Sequence, residues 1–314
     1  MSFPAHHRSV RRWVGTGAAV LAATTALASC TGDGTRPASD EVRGPAATKS
    51  PSKSSSASST TTPTDTPTET PTESPDDGTA VPVYFAGDGP RGTVLFREFH
   101  RVTGDPLLEA ARLVADGSPD DPDYRTLWPQ VEITSVTATD GVLLVEVPGD
   151  AFTERPDGMS RRDAELAVQQ LVRTLQGVQQ ERVPVQVERG GAPLFGLATD
   201  APYEAASALE TLNLVSITSP EEGATITSGT LTVTGVANSF EASGPCRLLV
   251  DGVEMVVQPY QAEGWMEDRL FPFEVDFPLE GISGDVVVQC ETDDPSGGAE
   301  GHGPSVDTKT ITVR

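Results

Sequence analysis

Beyond residue 80 the apolar positions follow two successive patterns. Val81, Val83 and Phe85 alternate with a period of two, which predicts a strand with one buried face. Residues 93–102, TVLFREFHRV, predict a second strand, with Gly87–Gly92 as the turn between them. Asp105-Pro106 then opens a helix, because Asp accepts the free N–H groups of the first turn and Pro sits where no N–H is missed. Leu107, Leu108, Ala111 and Val114 form its buried stripe, and Gly117 stops it. Residues 131–137 and 142–147 predict a hairpin around Asp140-Gly141, a pair that accepts positive φ. Ser160 and Asp163 begin a second helix in the manner of a capping box. Ala164, Ala167, Val168, Leu171, Val172 and Leu175 follow at spacings of three and four and define one apolar face. Val183, Val185 and Val187 close the series as a strand. The order β-β-α-β-β-α-β over 80–196 predicts an α+β domain, a mixed sheet with helices packed on one face.

From Leu214 the pattern becomes all-β. Short alternating segments recur at 214–218, 230–236, 246–250, 271–277, 285–290 and 308–313, with Gly and Pro between them. Such spacing over 214–314 predicts an immunoglobulin-like β-sandwich. Residues 197–213 are left as a connector, with a short helix expected around Ala205–Leu209.

Before residue 80 there is no such pattern. Residues 31–79 are mostly Ser, Thr, Pro, Gly and Asp, including the run TTTPTDTPTETPTESPDD. A segment this poor in apolar side chains cannot offset its ordering entropy, so 30–79 is expected to be a disordered tether. As a coil it would span roughly 40 Å, and fully extended about 150 Å. Its Ser/Thr-Pro composition also resembles O-glycosylated stalks.

Residues 1–29 predict a signal peptide. His6, Arg8, Arg11 and Arg12 make a basic start, and 13–28 make a short apolar stretch of small residues, too short to span a membrane comfortably. Leu27-Ala28-Ser29-Cys30 resembles the bacterial lipobox, which implies cleavage before Cys30 and lipidation of its thiol. The expected location is the outer face of the plasma membrane, lipid-anchored. Arg11-Arg12 leaves the export route open, although Trp13-Val14-Gly15 fits a twin-arginine signal poorly. Lipidation of Cys30 would leave an even pair, Cys246 and Cys290, in an oxidising compartment, and these are expected to form a disulfide.

Charge narrows the function classes. The chain has 22 basic residues, three of them in the signal region, so the mature chain would hold 19 against 46 acidic residues, a net of −27. A surface this negative repels nucleic acid and anionic headgroups. No nucleic-acid partner is expected.

Several strings then carry a family resemblance. VPVYF, LFREFHRV, the helix after Asp105-Pro106-Leu107, ITSVTATDGVLLVEVPGDAF and the helix SRRDAELAVQQLVRTL resemble the GerMN module of sporulation and spore germination. ITSPEEGATITSGTLTVTGVANSFEA, residues 217–242, followed by LFPFEVDFPL, resembles the immunoglobulin-like Gmad2 module of spore germination. Together they cover nearly all of 80–314. The resemblance implies an envelope accessory protein. GerMN-like folds resemble the ring-building modules of secretion and sporulation channels, so oligomerisation is possible, and GerMN lipoproteins can also partner envelope sensor kinases.

Candidate chemistry is sparse. His100 and His302 are the only histidines after the signal region, and no nucleophile elbow, phosphate loop or HExxH motif occurs. Asp116, Asp120, Asp121 and Asp123 cluster in one loop, and Glu291, Asp293 and Asp294 in another, without EF-hand spacing. They are read as solvated loops. No enzyme activity, metal or cofactor is expected. The candidate partner-binding residues are Arg161, Arg162 and Arg173, which stand out on a helix of an acidic chain, and Phe240 and Glu241 in the most family-like string. The alternative readings are Phe240 as sandwich core, Glu241 as a turn cap or the partner of a basic residue, and the three arginines as solvated helix ends. Trp265, with Tyr260 nearby, could present a ring to a sugar. The leading expectation is a binding or scaffold protein of the envelope, contacting an envelope protein or the cell wall. The alternative is a lipoprotein that binds wall glycan or a small ligand.

Overall fold

The computed structural model describes residues 78–148, 152–294, 296, 299 and 301–314. The expected signal peptide, Cys30 and almost all of the tether lie outside the described residues. The described residues belong to one compact unit, Glu69–Arg314. It contains an α+β part followed by an all-β part, each with its own apolar core. Among the described residues no helix is long and apolar enough to cross a membrane.

The first part opens with β1 (Thr79–Gly89) and β2 (Gly92–Val102), paired antiparallel along their whole length. The turn is only Pro90-Arg91, shorter than the expected Gly87–Gly92. Gly87 and Gly89 are strand residues instead. A Cβ on Gly87 would come within 2.6 Å of the Phe96 ring, and one on Gly89 within 2.6 Å of Val94. These glycines serve close packing, not the turn.

Helix α1 (Pro106–Asp116) begins where Asp105 accepts the N–H groups of Leu107 and Leu108, and ends at Gly117 with φ 66°. Its buried face is Ala110, Ala111, Val114 and Ala115, with Leu107 and Leu108 only partly covered. Strands β3 (Ser135–Thr139) and β4 (Val142–Glu146) form the expected hairpin, with positive φ at Asp140 and Gly141. Helix α2 (Arg161–Gln179) carries the complete Ser160/Asp163 capping box, and β5 (Val185–Glu188) pairs parallel to β4. The strands therefore make two sheets, the β1-β2 ribbon and the mixed β3-β4-β5 sheet. Helix α2 covers the free edge of β1. Its buried Thr174 hydroxyl accepts the Tyr84 N–H at 3.0 Å, and its buried Gln170 amide donates to the Tyr84 carbonyl at 3.0 Å. Two ladder groups that would otherwise lack partners are thus satisfied.

The connector contains a one-turn helix, α3 (Ala208–Thr211). The second part comprises β6 (Val215–Ser219), β7 (Thr225–Ile226), β8 (Thr230–Ala237), β9 (Ser243–Val250), β10 (Val253–Ala262), β11 (Phe271–Pro278), β12 (Gly284–Glu291) and β13 (Val306–Val313). The hydrogen-bonded order is β6-β8-β11-β10-β9-β12-β13-β7. The two layers meet where the last two residues of β10 pair with β11. Strand β10 was not expected from its sequence. A bulge between Glu254 and Val256 breaks its period, and Val253, Met255 and Val257 face outward.

Prolines set the register beside the cysteines. Pro259 on β10 stands opposite Pro245 on β9, and neither has an N–H. That pair is therefore a non-hydrogen-bonded one, so the adjacent pair Gln258–Cys246 exchanges the ladder bonds. Cys246 then faces Cys290 on its other side as a close, non-hydrogen-bonded pair, with Cα atoms 4.1 Å apart. The expected disulfide joins them. It staples neighbouring strands of one layer and does not bridge the two layers.

Candidate functional site

The most heavily built polar feature lies between the two parts. Glu98 of β2 is buried on the ribbon face that looks toward the loop after α1. Its two carboxylate oxygens accept the backbone N–H groups of Asp120 (3.1 Å) and Asp121 (2.8 Å). This clamp turns the Asp121 side chain inward. One Asp121 oxygen accepts the Asp123 N–H, and the other accepts Lys309 Nζ of β13 at 2.5 Å. Lys309 also donates to the Tyr124 hydroxyl at 3.1 Å and lies 4.4 Å from the centre of its ring. Tyr124 in turn donates to Asp307 of β13 at 2.6 Å, and Asp307 accepts the N–H groups of Ile217 (2.6 Å) and Thr308 (2.9 Å). Asp121, Asp307 and Lys309 are all 3% exposed or less, so the ion pair is dry.

The electrostatics follow from one cation among several carboxylates. Burial pushes the Asp307 carboxyl up to about 6, against the opposing pull of Lys309 and the hydrogen bonds from Tyr124 and Ile217. Burial, with the charges of Asp307 and Asp121, drives the Tyr124 phenol well above its usual range. His100 sits 3.2 Å from Glu98 and 3.7 Å from Asp120. Burial alone would lower its pKa, but the Glu98 hydrogen bond and the charges of Asp120 and Glu98 leave it raised. The loop read as solvated is therefore half of a buried junction.

The connector is fastened at the other side. Leu95 of β2 bridges Leu212, and Ala86, Leu95, Leu166, Ala208 and Leu212 form a small third apolar cluster. Arg173 donates to the Ala206 carbonyl (2.6 Å) and the Thr211 hydroxyl (2.7 Å), and Arg162 donates to the Glu210 carbonyl (2.9 Å). Arg161 is exposed and pairs with Glu165 one turn along α2 at 2.9 Å. So the three arginines are not one free patch: two hold the connector against α2.

Phe240 is 45% exposed and does not fill the sandwich core. Its ring meets that of Trp265 edge to face at 5.3 Å, beside the exposed Met266. Glu241 is exposed with φ 52° in a single 3₁₀ turn. Tyr260 is no platform: it is buried, stacked on Phe273 at 4.3 Å, and its hydroxyl donates to the Glu291 carbonyl. Burial pushes its phenol up to about 12.

Tyr124, Asp307 and Lys309 were not among the sequence candidates, and Asp121 was weighed only as part of a solvated acidic loop. A signal existed for two of them. In VDTKTITV, Asp307 and Lys309 share the inward phase of Ile311 and Val313, so the last strand carries two charges on its core side.

Comparison with protein-family models finds two matches. Residues 82–195 match a family described as sporulation and spore germination, and residues 214–299 one described as an immunoglobulin-like domain of bacterial spore germination. Neither description names a catalytic activity. Comparison with curated proteins gives no match. Among solved structures, the tandem GerMN domains of the sporulation protein GerM from Bacillus subtilis align with 16% identity and a TM-score of 0.34 over 44% of this chain and 49% of that one. An engineered protein aligns with 16% identity and a TM-score of 0.28 over 41% of this chain and 24% of its own. The chain thus spans about half the length of the GerM structure it matches. The two matched segments cover most of both cores, and the chain carries a segment that matches the sporulation and spore germination family followed by one that matches the immunoglobulin-like domain of bacterial spore germination, with β13 lying beyond the second match.

Proposed function

We propose that the protein is a non-catalytic scaffold or binding lipoprotein of the cell envelope, acting in envelope assembly or signalling. The observation that supports this reading is the buried junction of Asp121, Tyr124, Asp307 and Lys309. It makes two germination-type modules into one body that can present contact surfaces at a fixed spacing. Cys30 is the proposed lipid anchor, on the outer face of the plasma membrane, and 30–79 the tether. A tether raises the effective concentration of its domains near membrane-bound partners, which favours a role in contact. The partner is an envelope protein or the cell wall, and self-association is compatible with the same surfaces. Arg161, Phe240 and Glu241 would meet the partner directly, whereas Arg162 and Arg173 would act through the connector they hold. The test is complementation of a deletion strain. Wild type should restore function from the membrane fraction, and Cys30→Ala should be uncleaved or released and fail to restore it. Full complementation by a released, soluble Cys30→Ala protein would refute the anchored scaffold.

One observation favours a second reading, a wall-glycan contact: the exposed Phe240–Trp265 pair. Co-sedimentation of the mature protein with purified wall, abolished by Trp265→Ala, would select it. Equal sedimentation of the variant would exclude that ring as the contact.

A further inference from the structure

On the connector side of the junction lies a cavity of about 170 Å³ whose wall includes Arg97, Arg173, Arg182 and Arg269. These come from β2, α2, the segment after α2 and the segment before β11, so both domains contribute. No Asp or Glu is among the lining residues. In a chain with 46 acidic and 22 basic residues, four guanidinium groups around an acid-free wall run against the composition. Like charges brought together in a partly buried site repel unless something neutralises them.

The protein's own groups neutralise them only in part. Arg97 donates to the neutral Thr218 hydroxyl and lies over the Phe99 ring, while its buried Nε–H has no partner. Arg173 donates only to a carbonyl and a hydroxyl, and its buried Nε–H also has no partner. Arg182 is exposed and close enough to Arg173 for its charge to lower the Arg173 pKa, after burial, which is the larger cause. Arg269 alone has a carboxylate at hydrogen-bond distance, Glu267 at 2.8 Å on its Nε. Asp268, whose carboxylate accepts from Ser207 Oγ and the Leu209 N–H on the connector, lies near enough to Arg173 for its charge to offset part of the guanidinium's, outweighing Arg182 there.

We infer that this interdomain cavity is an oxyanion-binding site, recognising a phosphate or carboxylate group of a small or polymer-borne ligand. The guanidinium fork suits either group. The volume matches about five or six water molecules at ~30 Å³ each, room for one such group and little more. A position between two domains is also where ligand sites commonly form. A bound oxyanion would bridge α2 and the sandwich, so occupancy would stiffen the same two-domain body that the polar junction fastens. The inference does not depend on the scaffold reading.

The test uses the mature chain and three probes: inorganic phosphate, acetate, and chloride at matched ionic strength. Thermal unfolding and calorimetric titration should show saturable binding of phosphate or acetate that chloride does not reproduce. Phosphate alone would assign a phosphate-bearing ligand, and acetate alone a carboxylate. The double variant Arg182→Gln/Arg269→Gln removes two exposed charges while keeping a planar group on the Arg269 stem over the Phe271 ring. It should keep the unfolding temperature measured without added oxyanion and bind at least tenfold more weakly. If neither oxyanion gives a saturable response beyond chloride, or if the double variant binds as wild type does, the site is refuted.

Discussion

Replacing Lys309 by Met tests the junction most directly. The substitution keeps length and apolar bulk but removes the cation that faces Asp121 and Asp307. At 2.5 Å from Asp121, with side-chain exposures of 4% and 2%, the ion pair has almost no solvent to take over its role. Removing one partner of such a pair leaves a bare buried charge, which costs about 3–5 kcal/mol. Asp121→Asn should cost less, about 1–3 kcal/mol. Lys309 would keep the Tyr124 hydroxyl, and Asp307, whose carboxyl already feels its charge, would remain as counter-ion. The order of the two losses is therefore fixed by the count of charges in the cluster. Guanidinium unfolding followed by tryptophan emission reads it. Trp128 is buried in the first core and Trp265 sits on the second domain, so a weakened junction should also separate one transition into two. A loss below about 1 kcal/mol for Lys309→Met, or a larger loss for Asp121→Asn, would show that the cluster does not bind the domains as described.

Three further outcomes are expected. Reducing the Cys246–Cys290 bond, which closes a loop of 44 residues, should cost roughly 4 kcal/mol in denaturant unfolding, and two alkylatable thiols in the exported, unreduced protein would contradict the bond. The Asp307 carboxyl is raised from 3.8 to about 6 in the folded protein, so its contribution to stability is complete below pH 3.8 and is lost as pH rises through 6. His100, also raised, acts in the same direction, so unfolding free energy should increase from pH 7 to pH 5, and an unchanged slope in Asp307→Asn would remove Asp307 as its source. Gly244→Ala should cost about 1–3 kcal/mol through overpacking. Its Cβ would stand 2.2 Å from the Glu291 carbonyl oxygen and 2.6 Å from the Tyr260 hydroxyl, and a neutral effect by thermal melt would refute the close strand packing.

The strongly periodic elements were legible because one physical cause dominates each. Helix α2 needed only its apolar face and its capping box, and β11 alternates without interruption from Phe271 to Pro278. Strand β10 was hidden because a bulge shifts its phase and its outward positions are apolar. Gly87 and Gly89 misled because the same residue permits a turn or a close approach, and only the position of Phe96 and Val94 decides which. The junction was hidden for another reason. An acid-rich loop reads as solvated until a cation from elsewhere is placed beside it, and Lys309 lies 188 residues from Asp121. The inward phase of Asp307 and Lys309 was visible in the last strand, but not what it faced. Likewise Arg162 and Arg173 stood out by charge, while the carbonyls they bind belong to a connector with no periodic signal.

That sequence separation has a consequence for how the chain acquires its fold. The Tyr124–Asp307 and Asp121–Lys309 contacts close loops of 183 and 188 residues, among the longest this unit can make. Contacts of such range form late, because the chain between them must be ordered before they can be rewarded. The acidic loop of the first domain therefore waits for strand β13. A chain emerging N-terminus first holds Asp121 and Tyr124 without their partners until the eight-residue strand β13 has arrived and docked. The polar contacts of that loop are in this way completed only once β13 is in place.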